Sequence, residues 1–301
     1  MERILFGDNQ FFGVNHSSDE KSRAQTIKFK DNSNIIKTIN YAIDGGLNTF
    51  MCTTHDRIAS ICNLINENKI KYNGFKMYPC LPYAHKYANA ITELGYMGTI
   101  KQFIPGNFFG SLLRGGYAFV SKDYISMIQL LIDAEMKPFK GIQTPVIFLQ
   151  NVLTDLLLGL GMKDVFKAYH NYIISEYNAE PGYITMNMPK LLTFLESIGI
   201  DNPIICSSIN IDGFRMSGGK ELYEQTLLTR NVRAIAMQIF SGGATLPQKA
   251  LEYVCTLPNI ESILFGASSS ANINETISLI HQLDQKSNGY PIEQLHNIKI
   301  Y

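Results

Sequence analysis

The sequence has no excess of charge of either sign: 26 Lys and Arg against 26 Asp and Glu give a formal net charge of zero. Nucleic acid and anionic membranes both call for a basic excess, so neither is expected as the main partner. Cysteines are few and scattered, at Cys52, Cys62, Cys80, Cys206 and Cys255, and none forms a CxxC pair. That argues against a disulfide framework or a structural zinc site and favours a reducing cytoplasm. No secretory signal is visible after Met1-Glu2-Arg3, where a short apolar stretch gives way to Asp8, Asn9 and Gln10. The longest apolar region, Val146 to Leu160, is interrupted by Gln150, Asn151, Thr154 and Asp155, so no span of a bilayer is expected. Also missing are GxSxG, HExxH, a phosphate-binding GxxxxGK loop and GxGxxG, which removes the common motif-borne chemistries. What remains is 46% hydrophobic and 17% charged, ample for a large core.

Short apolar runs alternate with stretches of helical period. Ile4 to Gly7 opens the series, and Ser33 to Ile43 reads as a helix with one apolar stripe stopped by Gly45-Gly46. Strands are then expected at Asn48–Thr54, Phe75–Leu81, Val146–Leu149, Tyr183–Asn187, Pro203–Ser208, Val232–Ile239 and Ile263–Phe265. Helices follow them, among them Asp56–Asn68, Lys122–Ala134, Pro189–Ile198, Gly219–Leu228, Pro247–Thr256 and Asn272–Leu283. Eight β-α units in one chain predict an α/β fold, a single (β/α)8 barrel over residues 1–301. Two long loops, 13–32 and 85–120, are expected on the catalytic face. In the second, Phe108, Phe109 and Leu112 among glycines suit an apolar lid, and a homodimer contact competes for the same residues.

The run from Leu246-Pro247-Gln248-Lys249-Ala250 through Leu257-Pro258-Asn259-Ile260 to Phe265-Gly266-Ala267-Ser268-Ser269 resembles the last two units of the aldo/keto reductases. Ile184 to Asn210 is similar to their fifth and sixth units, and Ala42 to Phe50 to the approach to their Asp-Thr-Ala-x-x-Tyr-Gly segment. The resemblance covers residues 4–284 and implies their barrel. It also implies where their Asp, Tyr, Lys and His set should stand. Here the aspartate position carries Met51 and the tyrosine position Asp56; the lysine falls near Pro79 or Cys80, and the histidine at Gln150 or Asn151. The arginine for the 2′-phosphate of NADPH falls at Asn272. Ordinary NADPH-dependent aldehyde reduction is therefore not expected.

Active groups of such barrels sit at the C-terminal strand ends. That rule selects Asp8, Asn9 and Gln10 with His16 after the first strand, and Thr53, Thr54, His55 and Asp56 after the second. His85 and Lys86 follow the third strand and Asn151 the fourth. A histidine beside a carboxylate is an acid/base pair, and imidazole with carboxylate also suits a divalent metal, so Asp8, His55, Asp56 and His85 form the catalytic candidates. For Asp56 the competing reading is a helix cap, and for the histidines ordinary loop positions.

A second group suits a phosphate. Ser241, Gly242 and Gly243 follow the seventh strand, and Gly266, Ser268 and Ser269 follow the eighth and precede a helix, where backbone N–H groups gather. Asn187, Lys190, Ser208, Asn210, Arg215 and Gln238 lie at other strand ends, and Arg114 in the long loop could reach an anion. Tight turns, a capped helix and surface salt bridges explain the same residues without a ligand.

These features predict an enzyme for a small anionic substrate, phosphorylated, sugar-like or nucleotide-linked, using acid/base or metal-assisted lyase, isomerase or hydrolase chemistry. The alternatives are an atypical NAD(P)H-dependent aldo/keto-type oxidoreductase and a non-catalytic binding barrel.

Overall fold

Strands come first, because each is short, apolar and flanked by helices that cover it. In the computed structural model, which describes residues 1–13, 19–83 and 123–288, Val146–Leu149 is buried along its whole length. Continuous burial is what a parallel sheet covered by helices requires. The eight strands are β1 (Ile4–Gly7), β2 (Thr49–Thr53), β3 (Lys76–Leu81), β4 (Val146–Leu149), β5 (Glu180–Thr185), β6 (Ile204–Ser208), β7 (Arg233–Met237) and β8 (Ile260–Phe265). They close into a barrel in sequence order, the expected (β/α)8 architecture.

The described helices are α1 (Asp19–Lys28), α2 (Asn32–Asp44), α3 (Asp56–Glu67), α4 (Asp123–Met136), α5 (Asn151–Gly159), α6 (Lys163–Tyr177), α7 (Met188–Glu196), α8 (Lys220–Thr229), α9 (Pro247–Thr256) and α10 (Ser270–Asn288). Among the described residues no helix is long and apolar enough to cross a membrane. One expectation needs correcting. Residues 13–32 are not a bare loop, since α1 occupies most of their described part. The long segment 85–120, with its expected lid and Arg114, lies outside the described residues, as do His16 and His85.

Contacts gather the chain into two units. The first holds residues 1–47, 208–230 and 234–301. Within it β1 pairs β8 in register, Ile4 with Ile263 through Phe6 with Phe265. Phe6, Phe11 and Phe29 stack edge-on, with centroids 6.1 and 4.9 Å apart, and so carry α1 back onto the first strand. Helix α2 buries Ile35, Ile39 and Ala42 and ends as its sequence predicts: Gly46 N–H donates to Ile43 C=O and Leu47 N–H to Ala42 C=O, a Schellman closure. The Arg3 guanidinium grips both oxygens of Asp284 at 2.9 and 2.8 Å, tying β1 to α10.

The second unit holds residues 48–207 and 231–233. Strands β2 to β5 pair in parallel, for example Thr53 with Cys80, Cys80 with Phe148, and Phe148 with Gly182. Buried Tyr169 on α6 donates its hydroxyl to Ile147 C=O at 2.6 Å, pinning that helix to the sheet.

Candidate functional site

In the second unit the C-terminal ends of β2 and β3 run side by side, and the chain turns off each strand immediately afterwards. The turn after β2 delivers Thr54, His55 and Asp56, and that after β3 delivers Tyr83. His55 is the N-cap of α3: its Nδ1 accepts the Arg57 N–H at 3.1 Å. An acceptor at Nδ1 places the proton of a neutral ring on Nε2, so this imidazole presents a donor from its other nitrogen. Asp56 is the first residue inside the helix, where its charge favours the helix dipole, while the cap itself falls to His55.

The His55 and Tyr83 rings are 5.2 Å apart, tilted by 46°. Beside them lies a carboxylate that no sequence pattern marks. Glu135, on α4, is 2% exposed and accepts the Thr54 hydroxyl. The Tyr83 N–H is shared between Thr54 Oγ1 at 3.2 Å and Glu135 Oε2 at 3.4 Å. A buried carboxylate bonded this way fixes the backbone of the residue beside it. The pair His55 and Tyr83 thus stands on a braced base and offers two polar hydrogens of different acidity. The sequence reading passes over both: Tyr83 lies within reach of the strand-end rule, which was applied only to His85 and Lys86 after β3, whereas Glu135 on its helix carries no such signal.

Elsewhere in this unit Asn187 caps α7, its Oδ1 accepting the Lys190 N–H at 3.3 Å. Asp155 accepts the Thr185 hydroxyl and, at 3.1 Å, the Met186 N–H. Burial raises its pKa, and these two donors offset part of that rise.

In the first unit Asp8 is buried at the end of β1, and its carbonyl accepts the Phe11 N–H at 2.8 Å, closing a single 3-10 turn. Ser208 donates its hydroxyl to Gln238 Oε1 at 2.6 Å. Both amide groups of buried Asn210 are spent on the backbone of Phe214, at 2.9 and 2.7 Å. Arg215 lays its guanidinium over the Phe214 ring at 5.3 Å. Arg215, Gln238 and Ser241 all adopt positive φ (55, 54 and 49°), and strain of this kind gathers at working loops.

The loop after β7 differs from a phosphate cradle. Ser241 donates its hydroxyl to Asp212 at 2.6 Å, Thr245 donates to the same oxygen, and Gly242 turns between them. A carboxylate there repels an anion. The hydroxyls of Ser241 and Thr245 hold the Asp212 pKa below the ordinary carboxylate value, and Lys249 and Lys220 add to this. A depressed carboxyl stabilises the fold above its unfolded pKa, and that stability is lost as pH falls through the folded value. Ser241→Ala is therefore expected to raise the Asp212 titration midpoint, read by carboxyl-carbon NMR. The change in unfolding free energy should be small because the group is open to solvent.

The loop after β8 is of another kind. Gly266 leaves room for the Gln10 side chain: a Cβ there would meet Gln10 Cδ at 3.0 Å and its amide oxygen closer still. Gln10 is 5% exposed and donates through Nε2 to Gly7 C=O at 2.7 Å, while its Oε1 has no partner among the described residues. The Lys28 ammonium donates to Ser268 C=O, and Ser269 Oγ accepts the Asn272 N–H at 3.3 Å in the first turn of α10. Among the described residues no three His, Cys, Asp or Glu side chains come together as a metal-holding group.

Neither a protein-family model nor a curated protein matches the sequence. Solved structures do. A Pseudomonas aeruginosa protein assigned to the aldo-keto reductases superimposes with a TM-score of 0.57 at 10% identity, over 94% of this chain and 90% of its own. An aldo/keto reductase from Brucella melitensis does so with a TM-score of 0.51 at 10% identity, over 94% and 93%. These neighbours overturn the sequence expectation of a lyase, isomerase or hydrolase, because the barrel so matched is one on which reductases are built. The replaced Asp, Tyr, Lys and His positions, together with the acid/base residues at the strand ends, had carried that expectation. The chain has the aldo/keto-reductase form of the (β/α)8 barrel.

Proposed function

We propose that this protein is an atypical NAD(P)H-dependent oxidoreductase that reduces a small carbonyl compound. The observation that carries the reading is the His55–Tyr83 pair, braced by Glu135 and Thr54 at the ends of β2 and β3. Reduction of a carbonyl adds a hydride at carbon and a proton at oxygen. The second addition needs an acid held at one place, and a phenol keeps its proton at neutral pH. Tyr83 is that acid in this proposal, and His55, with its proton on Nε2, orients or recharges it. Met51 is buried in β2 and Asp56 serves α3, so the usual family positions are structural here and the donors come from neighbouring ones.

The nicotinamide nucleotide implied by this fold supplies the hydride when bound. The first unit offers residues that fit such a group. Gln10 Oε1 is an orphaned, buried acceptor for a hydroxyl or amine, and Lys28 with the first turn of α10 suits a phosphate. The test is titration of the purified protein with NADPH, followed by turnover on simple aldehydes and ketones. Saturable binding with nucleotide oxidation dependent on the carbonyl compound is the expected result. Saturable binding with no turnover on any carbonyl would sink the oxidoreductase reading.

A further inference from the structure

In the second unit three strands start from proline turns. Pro145 precedes β4, Pro181 is the second residue of β5, and Pro203 precedes β6. Each ring fixes its own φ, and the chain beside it is tied down. Pro145 C=O accepts the Glu180 N–H at 2.8 Å, and Pro203 C=O accepts the Arg233 N–H at 3.0 Å. Between these turns and the C-terminal half of α6 lies a cavity of about 540 Å³. It stands at the N-terminal strand ends, whereas His55 and Tyr83 follow the C-terminal ends of β2 and β3.

The walls of this cavity are apolar. The proline rings are joined by Ile174, Ile200 and Ile204, and Ile174 on α6 is 49% exposed, a large aliphatic side chain left in water. Apolar walls with a few converging polar groups are the usual form of a small-molecule site of this size. The charged and titratable groups here are His170, Glu180, Asp201 and Arg233. Arg233 pairs with Glu180, so their charges offset each other. His170 is neutral: burial lowers its pKa, and its Nδ1 lies 3.1 Å from the Tyr183 hydroxyl, which burial keeps protonated. Asp201 pairs with no cation among the described residues. The cavity therefore holds one carboxylate in excess beside an apolar wall.

We infer that this cavity binds a small organic ammonium ion with an apolar body, a primary alkyl- or arylalkyl-amine. Asp201 meets the charge, and the carbon skeleton lies along the proline and isoleucine wall. The surplus carboxylate disfavours an anion, and a neutral alcohol gains the wall alone. A metal ion finds too few ligands, since no three His, Cys, Asp or Glu side chains come together among the described residues. The site stands apart from the His55–Tyr83 pair, so the amine is a ligand other than the reacting carbonyl compound. The inference holds whether or not the oxidoreductase reading does.

The experiment follows the isoleucine methyl signals of the full chain by NMR during titration with phenethylamine, phenethyl alcohol and hydrocinnamate. These probes share one apolar body and differ in charge. In wild type the amine should shift Ile174, Ile200 and Ile204 saturably and bind about fivefold more tightly than the alcohol, with the carboxylate weakest. That margin should narrow as salt screens the charge. Asp201→Asn should bring amine and alcohol to near parity, and Ile174→Ser should weaken both. Both side chains are exposed, so neither variant should lose its fold, which circular dichroism checks. No saturable shift of these methyls with the amine overturns the inference. So does equal wild-type affinity for amine and alcohol, or an amine affinity that Asp201→Asn leaves untouched.

Discussion

Tyr83→Phe should lower kcat for carbonyl reduction by about 10²–10⁴, the usual contribution of a positioned proton donor, with little change in nucleotide affinity. The substitution removes one oxygen and keeps the ring that lies 5.2 Å from His55, so the packing of the pair persists. The main-chain N–H of Tyr83 still meets Thr54 and Glu135, so its backbone stays in place. A loss confined to kcat would identify a group that acts in the transition state rather than in binding. His55→Gln should cost less, since glutamine can accept the Arg57 N–H and donate through its amide, but it cannot exchange a proton. If Tyr83→Phe turns over at the wild-type rate, the phenol is not the acid. A large loss in His55→Gln would then transfer that role to the imidazole.

These side chains show how far the sequence could be read. The alternation of β and α was visible because each strand is continuously apolar and each covering helix keeps one stripe, as in α2 with Ile35, Ile39 and Ala42. Both ends of β4 and of α9 fall where the residues predict, since Pro145, Gln150 and Pro247 punctuate them. Helix α1 was hidden for the opposite reason. Its sequence, Asp-Glu-Lys-Ser-Arg-Ala-Gln-Thr-Ile-Lys, has no apolar face, and Phe29 just beyond its end supplies the buried anchor.

The site was legible only in part. The strand-end rule reached His55 and Asp56, but it offered Asp56 as the cap of α3, a place that His55 takes. Ser241 was read as an anion donor, yet its hydroxyl serves Asp212, a partner 29 residues away that no local pattern connects to it. Glu135 escaped because an acid near a helix end, two residues from Asp133, reads as solvated until tertiary contacts bury it.

Gly182→Ala is expected to be the most damaging single-methyl change in the second unit. Gly182 pairs with Phe148 across β4 and β5, and the aromatic ring folds over the space a side chain would take. A Cβ at position 182 would lie 2.9 Å from the ring Cζ and closer to two other ring carbons, so the whole ring must move. It has nowhere to go: Phe148 is fully buried, and the buried Tyr78 ring lies against it with centroids 6.2 Å apart. Overpacking of this kind costs about 1–3 kcal/mol or more. Phe148→Ala should destabilise by about 3–5 kcal/mol through the cavity it leaves. Combining Gly182→Ala with Phe148→Leu should recover much of the first loss, because a smaller side chain vacates the space the new methyl needs. Neighbours that share one volume depart from additivity by about 0.5–3 kcal/mol. Urea unfolding of the three single variants and the Gly182→Ala, Phe148→Leu double variant measures this directly. A Gly182→Ala protein as stable as wild type would show that β5 can shift away from the ring.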